Sequence, residues 1–122
     1  MQLPLQVTFR GLSPSPALEA RIRDNAQKLE RFHHRITSCR VSVEATRRDS
    51  RLGRQFHVRI DVTVPGAELV ARREAGKDHD GEDVYTAIRD AFAAVTRQLE
   101  DNVRKRRGDV KRHEPTPSRS RS

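Results

Sequence analysis

Apolar and polar residues alternate in four stretches of the chain, at residues 3–10, 36–47, 56–64 and 67–74. A period of two places every second side chain on the same face, so each stretch predicts a half-buried β-strand. The third stretch is the clearest, and the fourth is weaker and typical of an edge strand. A Pro-Gly dipeptide at 65–66 predicts a tight turn between them. The polar face of the resulting sheet is expected to meet solvent or a partner.

Two other segments carry apolar residues three and four positions apart, which predicts amphipathic α-helices. The first runs over about residues 16–31, and Ser15 followed by Pro16 is a typical helix start. The second has apolar residues from Val84 onward and is expected to end near residue 107. Acidic residues precede this second helix and basic residues close it, an arrangement that complements the helix dipole.

The predicted order of elements, β-α-β-β-β-α, indicates an α+β domain of two layers. The two strands joined by the first helix are expected to be parallel, with a right-handed crossover, and the next two connections to be antiparallel hairpins. A four-stranded mixed sheet would then carry both helices on one face. We assign this domain to residues 1–107, since 122 residues allow a single core. Residues 108–122 are rich in Pro, Ser and Arg, which predicts a disordered basic tail.

The formal net charge of +8 points to a polyanionic partner, and nucleic acid is the commonest one for a basic domain. The charge is segregated along the chain. Residues 21–60 carry eleven Arg or Lys against four acids, whereas residues 61–103 carry five against ten. Residues 104–122 carry eight against two. Two basic blocks therefore flank an acidic one, which favours a directed binding face over general solubility.

The compartment is predicted from cysteine content and from the start of the chain. The single cysteine, Cys39, cannot form an internal disulfide, which fits a reducing compartment. Residues 1–5 have no charged leader or signal-type apolar run, and no segment approaches the roughly 20 apolar residues of a membrane span. We therefore expect a cytoplasmic protein with no membrane contact.

Three sequence segments resemble the ribosome hibernation-promoting factor family, which includes YfiA and the S30EA ribosomal-protein group. Residues 83–88, DVYTAI, followed by RQL at 97–99, resemble the D-x-Y-x-A-I … R-Q-L signature of that family's second helix. KLERF at 28–32, with Ile36 and the alternating strand that follows, resembles its passage from helix one to strand two. The resemblance spans about residues 3–107, and the family's element order is the one predicted above.

The resemblance implies a β-α-β-β-β-α domain, similar to double-stranded-RNA-binding folds, that binds the small ribosomal subunit between head and body. Such a protein contacts small-subunit rRNA and occludes the sites of mRNA and tRNA, so that translation stops under stress or in stationary phase. The mechanism is occlusion without catalysis, and it uses no cofactor and no small-molecule substrate. The C-terminal dimerisation domain of the family's long form is not found here, which implies a short form or a free-standing relative. We expect a monomer in solution. The chain departs from the family pattern at Arg89, where many members carry an acid.

The candidate rRNA-binding residues are basic side chains on both helices and in the hairpin loop between the second and third strands. On the first helix, at about 100° per residue, four cations and Asp24 fall on one flank beside the apolar stripe. If the helices pack side by side, the basic flank of the second could continue this surface. The full set is Arg21, Lys28, Arg31, Arg35, Arg47, Arg48, Arg51, Arg89, Arg97, Arg104, Lys105 and Arg107.

Each candidate has a plainer alternative. Exposed basic residues on a helix can serve solubility alone, and loop arginines are often only solvated. The acidic run at residues 78–83 could hold a metal, but its spacing does not match an EF-hand and an acidic helix start is the favoured interpretation. Cys39 is interpreted as a core residue and Tyr85 as core or sheet-covering, with base stacking by Tyr85 as the minor alternative. We expect neither catalytic residues nor a metal ligand.

Two other functions stay open at this point. The chain could be a protein-binding regulator of a sigma factor or another stress-response partner, acting without RNA contact. It could also be a small enzyme that uses the acidic run, although the sequence contains no phosphate-binding loop or serine elbow.

Overall fold

The computed structural model describes residues 4–49, 53–75 and 82–113, with side chains described at 4–46, 55–75 and 84–106. Leu3, which the alternation included in the first strand, lies outside these residues. The order β-α-β-β-β-α is confirmed, and with it the α+β fold class. The elements are β1 (Leu5–Arg10), α1 (Pro16–Phe32), β2 (Ser38–Asp49), β3 (Gly53–Val64), β4 (Ala67–Ala75) and α2 (Glu82–His113).

The four strands form one mixed sheet in the order β1-β2-β3-β4. β1 pairs with β2 in parallel, and β2 with β3 and β3 with β4 are antiparallel, as the connections predicted. The register places Val7 beside Val41, Val41 beside Ile60 and Ile60 beside Ala71, so that one apolar row crosses all four strands. The polar residues between them share the opposite face.

Both helices pack on the apolar face of the sheet. α2 contacts β3 and β4, while α1 contacts β1 and α2. The core between the two layers is mostly aliphatic, and burying it provides the main drive for folding. The most deeply buried side chains are Ile22, Cys39, Val41, Val43, Val58, Ile60, Val62, Ile88 and Val95.

The start of α1 follows the predicted capping chemistry. The Ser15 side-chain oxygen accepts a hydrogen bond from the backbone N–H of Leu18 at 3.2 Å, and Pro16 occupies the first turn, where a missing N–H costs nothing. The helix ends at Phe32, because His33 has an extended backbone with φ −136° and ψ 94°. The N–H of His33 still donates to the carbonyl of Leu29 at 2.9 Å, which closes the last turn.

α2 extends beyond its predicted end and continues to His113. The predicted tail beginning at residue 108 is therefore wrong for residues 108–113, while residues 114–122 lie outside the described part of the chain. The physical reason is that Gly108 costs a helix only about 1 kcal/mol relative to Ala, which an established helix tolerates. The first proline beyond it is Pro115. Despite its length, α2 is too polar to span a bilayer, and the same holds for α1 within the described residues.

Two glycines have positive φ angles, for different reasons. Gly66 (φ +83°) follows Pro65 in the turn between β3 and β4, where a type II turn requires this conformation, and its missing Cβ would face open space. Gly11 (φ +76°) follows β1, and a Cβ there would lie 2.1 Å from the carbonyl oxygen of Ala45 on β2. Gly11 is therefore needed both for its backbone conformation and for the close approach of two chain segments.

Candidate nucleic-acid interface

The cations predicted on α1 lie on its solvent side. Arg21, Lys28 and Arg31 are exposed, and together with Asp24 they recur at intervals of three and four residues beside the buried stripe. Arg35 is exposed as well, but its predicted place on the helix flank is wrong, because the extended backbone at His33 ends the helix first. Arg35 lies instead in the turn that leads to β2.

The four predicted cations of α2 whose side chains are described are also exposed, although two of them contact acids. Arg89 lies 3.5 Å from Asp90, and Arg104 pairs with Asp101 one turn earlier. Arg97 and Lys105 have no acidic partner within 4.0 Å among the described residues. Ion pairs this exposed contribute little to stability and exchange readily with another anion, so they do not prevent Arg89 and Arg104 from binding phosphate.

A groove between the helices brings cations from both into one place. Its walls include Lys28 from α1 and Arg89 from α2, with Phe92 and Thr96 lower on the α2 wall. A carboxylate, Glu100, also lines it. The groove therefore unites part of the predicted set, although Arg97, Arg104 and Lys105 are not among the residues that line it.

One end of the interhelical surface is held by a contact between a cation and an aromatic ring. The Arg21 guanidinium lies 4.7 Å from the centroid of the Tyr85 ring, a distance typical of a cation–π interaction. Tyr85 itself is half-buried and packs against the core, which agrees with the prediction that it covers the sheet. Arg21 thus connects α1 to α2 while its charge stays accessible.

The far ends of the helices border a second, more apolar hollow. Aliphatic side chains from the α1–β2 connection, β3 and α2 form its walls, and two arginines, Arg35 and Arg106, stand among them. Arg106 was missed in the sequence as a positioned residue: its Nη1 donates to the carbonyl of Pro65 at 2.8 Å and so connects α2 to the β3–β4 turn. The aliphatic walls are Ile36, Val64, Leu99 and Val103.

The open face of the sheet differs from the helical side because its charges balance. Four arginines and four carboxylates of the described residues share this face, and four of these eight form ion pairs with one another. Arg40 lies 2.8 Å from Glu68 and 3.8 Å from Asp61, and the Arg59 Nε donates to Asp61 at 3.1 Å. The eight are Arg10, Arg40, Arg59, Arg72, Glu44, Asp61, Glu68 and Glu74.

The helical layer, by contrast, has a surplus of positive charge. The described side chains of α1, α2 and the turn between α1 and β2 include ten Arg or Lys against six carboxylates. Seven of these cations have no acidic partner within the described part of the chain: Arg21, Lys28, Arg31, Arg35, Arg97, Lys105 and Arg106. A phosphate backbone approaching this side would meet charges that need not first be separated from a protein partner.

Cys39, the one cysteine of the chain, is not an activated nucleophile. Burial, together with the charge of Asp61 and against a partial offset by Arg40, raises the pKa of the Cys39 thiol from its ordinary value of 9.0 to about 11. A buried, protonated thiol is a poor nucleophile and behaves as a small apolar side chain. This agrees with the interpretation of Cys39 as a core residue.

Several predicted site residues fall where no side chain is described. Arg47 and Arg48 belong to β2 by their backbone, and Arg107 belongs to α2. Arg51, and with it the loop at 50–52, lies outside the described residues, as does most of the acidic run at 78–83. Their roles stay predictions.

Comparison with known proteins gives the same fold. A ribosomal subunit interface protein from Coxiella burnetii superposes with a TM-score of 0.65 at 19% identity, covering 82% of this chain and 97% of that one. The Thermus thermophilus Protein Y N-terminal domain gives a TM-score of 0.57 at 18% identity, covering 83% and 98%. No curated protein sequence matches the chain significantly.

The sequence model of one family matches almost the whole domain. It is described as sigma 54 modulation protein / S30EA ribosomal protein, and it aligns with residues 5–107. This range begins with β1, includes all four strands and α1, and ends within α2. The family that the sequence segments suggested is thereby confirmed, and the chain belongs to the sigma 54 modulation protein / S30EA ribosomal protein family.

Proposed function

We propose that this protein is a ribosome-associated translation inhibitor, or hibernation factor, that acts without catalysis. Its domain at residues 5–107 would bind small-subunit rRNA between head and body and occlude the sites of mRNA and tRNA. Family membership supports the association with ribosomes, as does the fold shared with a ribosomal subunit interface protein.

The observation that carries the proposal is the charge difference between the two layers of the molecule. Among the side chains that the structure describes, the helical layer has ten cations against six carboxylates, whereas the open sheet face has four of each. RNA is bound mainly through phosphates, and A-form RNA is recognised by backbone and shape more than by sequence. The helical layer, with the interhelical groove at its centre, is therefore the surface that we assign to rRNA.

A charge-reversal triple variant of the helical layer tests the proposal. The variant combines Lys28→Glu, Arg31→Glu and Arg97→Glu. It should no longer inhibit in-vitro translation or co-sediment with small subunits. The melting temperature should change little, because exposed charges contribute little to stability.

The matched control makes the same change of charge on the sheet. Arg10, Arg59 and Arg72 are exposed on the open face. Arg10 and Arg72 have no acidic partner within the described residues, and Arg59 shares Asp61 with Arg40. Replacement of all three by Glu should leave inhibition and sedimentation close to those of the original protein. If both triple variants lost inhibition and sedimentation equally, net charge alone would explain the effect. If the original protein stayed at the top of the gradient with small subunits at low salt, the proposal would be refuted.

A second candidate function rests on the family description, which also includes sigma 54 modulation. A regulator of that kind would bind a protein partner through the charge-balanced sheet face and would not need RNA. Complexes isolated from cells separate the two functions: nuclease treatment releases an RNA-bound protein and leaves a protein-bound one intact.

A further inference from the structure

One aromatic side chain on the helical layer has no place in the core. Phe32, the last residue of α1, is 71% exposed, and it is the one large apolar side chain exposed to this degree among the described residues. A single exposed apolar residue is ordinary on a protein surface, so exposure alone assigns no role. Its surroundings are what distinguish it.

Phe32 stands between the two hollows of the helical layer and lines both. On one side, the interhelical groove places Lys28 one turn before the ring on the same face of α1, with Arg89 opposite on α2. On the other side, Arg35 and Arg106 border the apolar hollow. The ring is therefore flanked by cations from two helices and from the turn between α1 and β2.

The hollow beside Phe32 offers an apolar surface next to the ring. Its aliphatic walls come from three separate parts of the chain, with Ile36 after α1, Val64 at the end of β3, and Leu99 and Val103 on α2. An apolar surface rimmed by arginines suits a ligand with a flat, apolar body and negative charge on either side of it. An unpaired nucleotide in RNA has this chemistry, since its base can stack while the neighbouring phosphates contact Lys or Arg.

Charge complementarity distinguishes this ligand from an apolar protein segment. Four cations line the two hollows, against one carboxylate, Glu100. A protein partner that contributed only an apolar side chain would leave these cations without a counter-charge, whereas a polynucleotide supplies a phosphate at each step.

We propose that Phe32 is a stacking platform for an unpaired base of the bound RNA, so that the protein contacts a looped or single-stranded nucleotide as well as the phosphate backbone. This inference rests on the proposed function and adds a base contact to it. Stacking contributes affinity without releasing counterions, so its loss should lower affinity at every salt concentration without changing the salt dependence.

Two substitutions at this position separate stacking from general apolar contact. Phe32→Leu keeps an apolar side chain but removes the π face, and should weaken binding to small subunits by about tenfold or more. Phe32→Tyr keeps the ring and should bind as the original protein does. The slope of log affinity against log salt should be the same for both, whereas Lys28→Gln should lower that slope by about one.

A fluorescence measurement detects the stack directly. The chain contains no tryptophan, so Phe32→Trp introduces a single one at the proposed contact. Its emission should be quenched by single-stranded oligoribonucleotide and by small subunits, and much less by an RNA duplex of equal length. Gln6→Trp, at an exposed position on the open sheet face, is the control and should not be quenched.

The outcomes distinguish this inference from the proposed function. If the original protein sediments with small subunits, and Phe32→Leu binds equally well with no quenching in Phe32→Trp, the stacking contact is wrong and the function stands. Binding that is equal for Leu and Tyr but lost with Phe32→Ala would indicate an apolar protein contact and overturn the inference. If the original protein does not sediment and Phe32→Trp is not quenched by single-stranded RNA, both fail.

Discussion

The two faces of this small domain carry similar residues but arrange their charges differently. On the open sheet face, Arg40 lies between two carboxylates and Arg59 shares one of them. On the helical side, Lys28 and Arg31 have no acidic partner within the described residues. The number of arginines on a surface therefore does not identify a polyanion site. The surplus of cations over nearby carboxylates is a better guide, because an equal number of carboxylates on the same face cancels the attraction for an approaching polyanion.

The largest expected effect concerns the close approach of the chain after β1 to strand β2. Gly11→Ala should destabilise the protein by about 3 kcal/mol or more, because it combines a positive φ with a Cβ placed against the Ala45 carbonyl. Gly66→Ala is the matched control. It has the same backbone conformation with open space around it, and should cost only about 1 kcal/mol. Urea denaturation measures both, and equal losses would contradict the steric argument.

The next effect is a difference between the two faces in the salt dependence of RNA binding. Lys28→Gln and Arg89→Gln should each lower the slope of log affinity against log salt by about one, because each removes one phosphate contact. Arg59→Gln removes the same charge from the sheet face and should leave the slope unchanged. A similar change in all three variants would mean that RNA does not distinguish between the faces.

A third variant gives the sheet face the charge surplus that it lacks. This variant changes Glu44, Glu68 and Glu74 to Gln. The four arginines of the face are then accompanied by one carboxylate, Asp61. Affinity for random RNA at low salt should rise several-fold by counterion release. Inhibition of translation should not improve, since the shape of the helical layer is needed to fit the ribosome. Stronger inhibition in proportion to RNA affinity would show that charge alone is sufficient.

The last effect appears only at alkaline pH and concerns the core between the two layers. Because burial raises the pKa of Cys39 to about 11, its thiol loses a proton more easily in the unfolded chain than in the folded one. Stability that is fully present below pH 9.0 should therefore fall as the pH rises toward 11, by an amount on the order of 2 kcal/mol. Denaturant titrations of Cys39→Ala and of the original protein isolate the contribution of this thiol. If the free energy of unfolding changed with pH in parallel for the two proteins, the thiol would not cause the loss of stability.

Much of the fold could be predicted from the sequence because its signals are local. The strands alternate cleanly, and Ser15 with Pro16 places the start of α1 at the observed residue. The end of α2 was missed because composition suggested a tail, whereas Gly108 alone does not end a helix. Gly11 carried no sequence signal for its role, since its close contact is with Ala45, far along the chain.

The candidate site could be predicted only in part, because pairing depends on tertiary structure. The helical period of α1 correctly predicted that Lys28 and Arg31 are exposed. The same period, continued past the end of the helix, placed Arg35 wrongly. The exposure of Phe32 could not be inferred either, since its position in KLERF fits a core role equally well. Arg106 lay within a run of cations that gave no sign of its bond to Pro65.

The most direct test of the central claim asks which face touches rRNA in the assembled complex. A photoreactive amino acid can be placed at Asp24, exposed on the cationic flank of α1, or at Gln6, exposed on the open sheet face. Neither residue is assigned to binding, so both variants should still sediment with small subunits. We expect crosslinks to small-subunit rRNA from position 24 and none from position 6. Crosslinks to rRNA from position 6 alone would contradict the central claim.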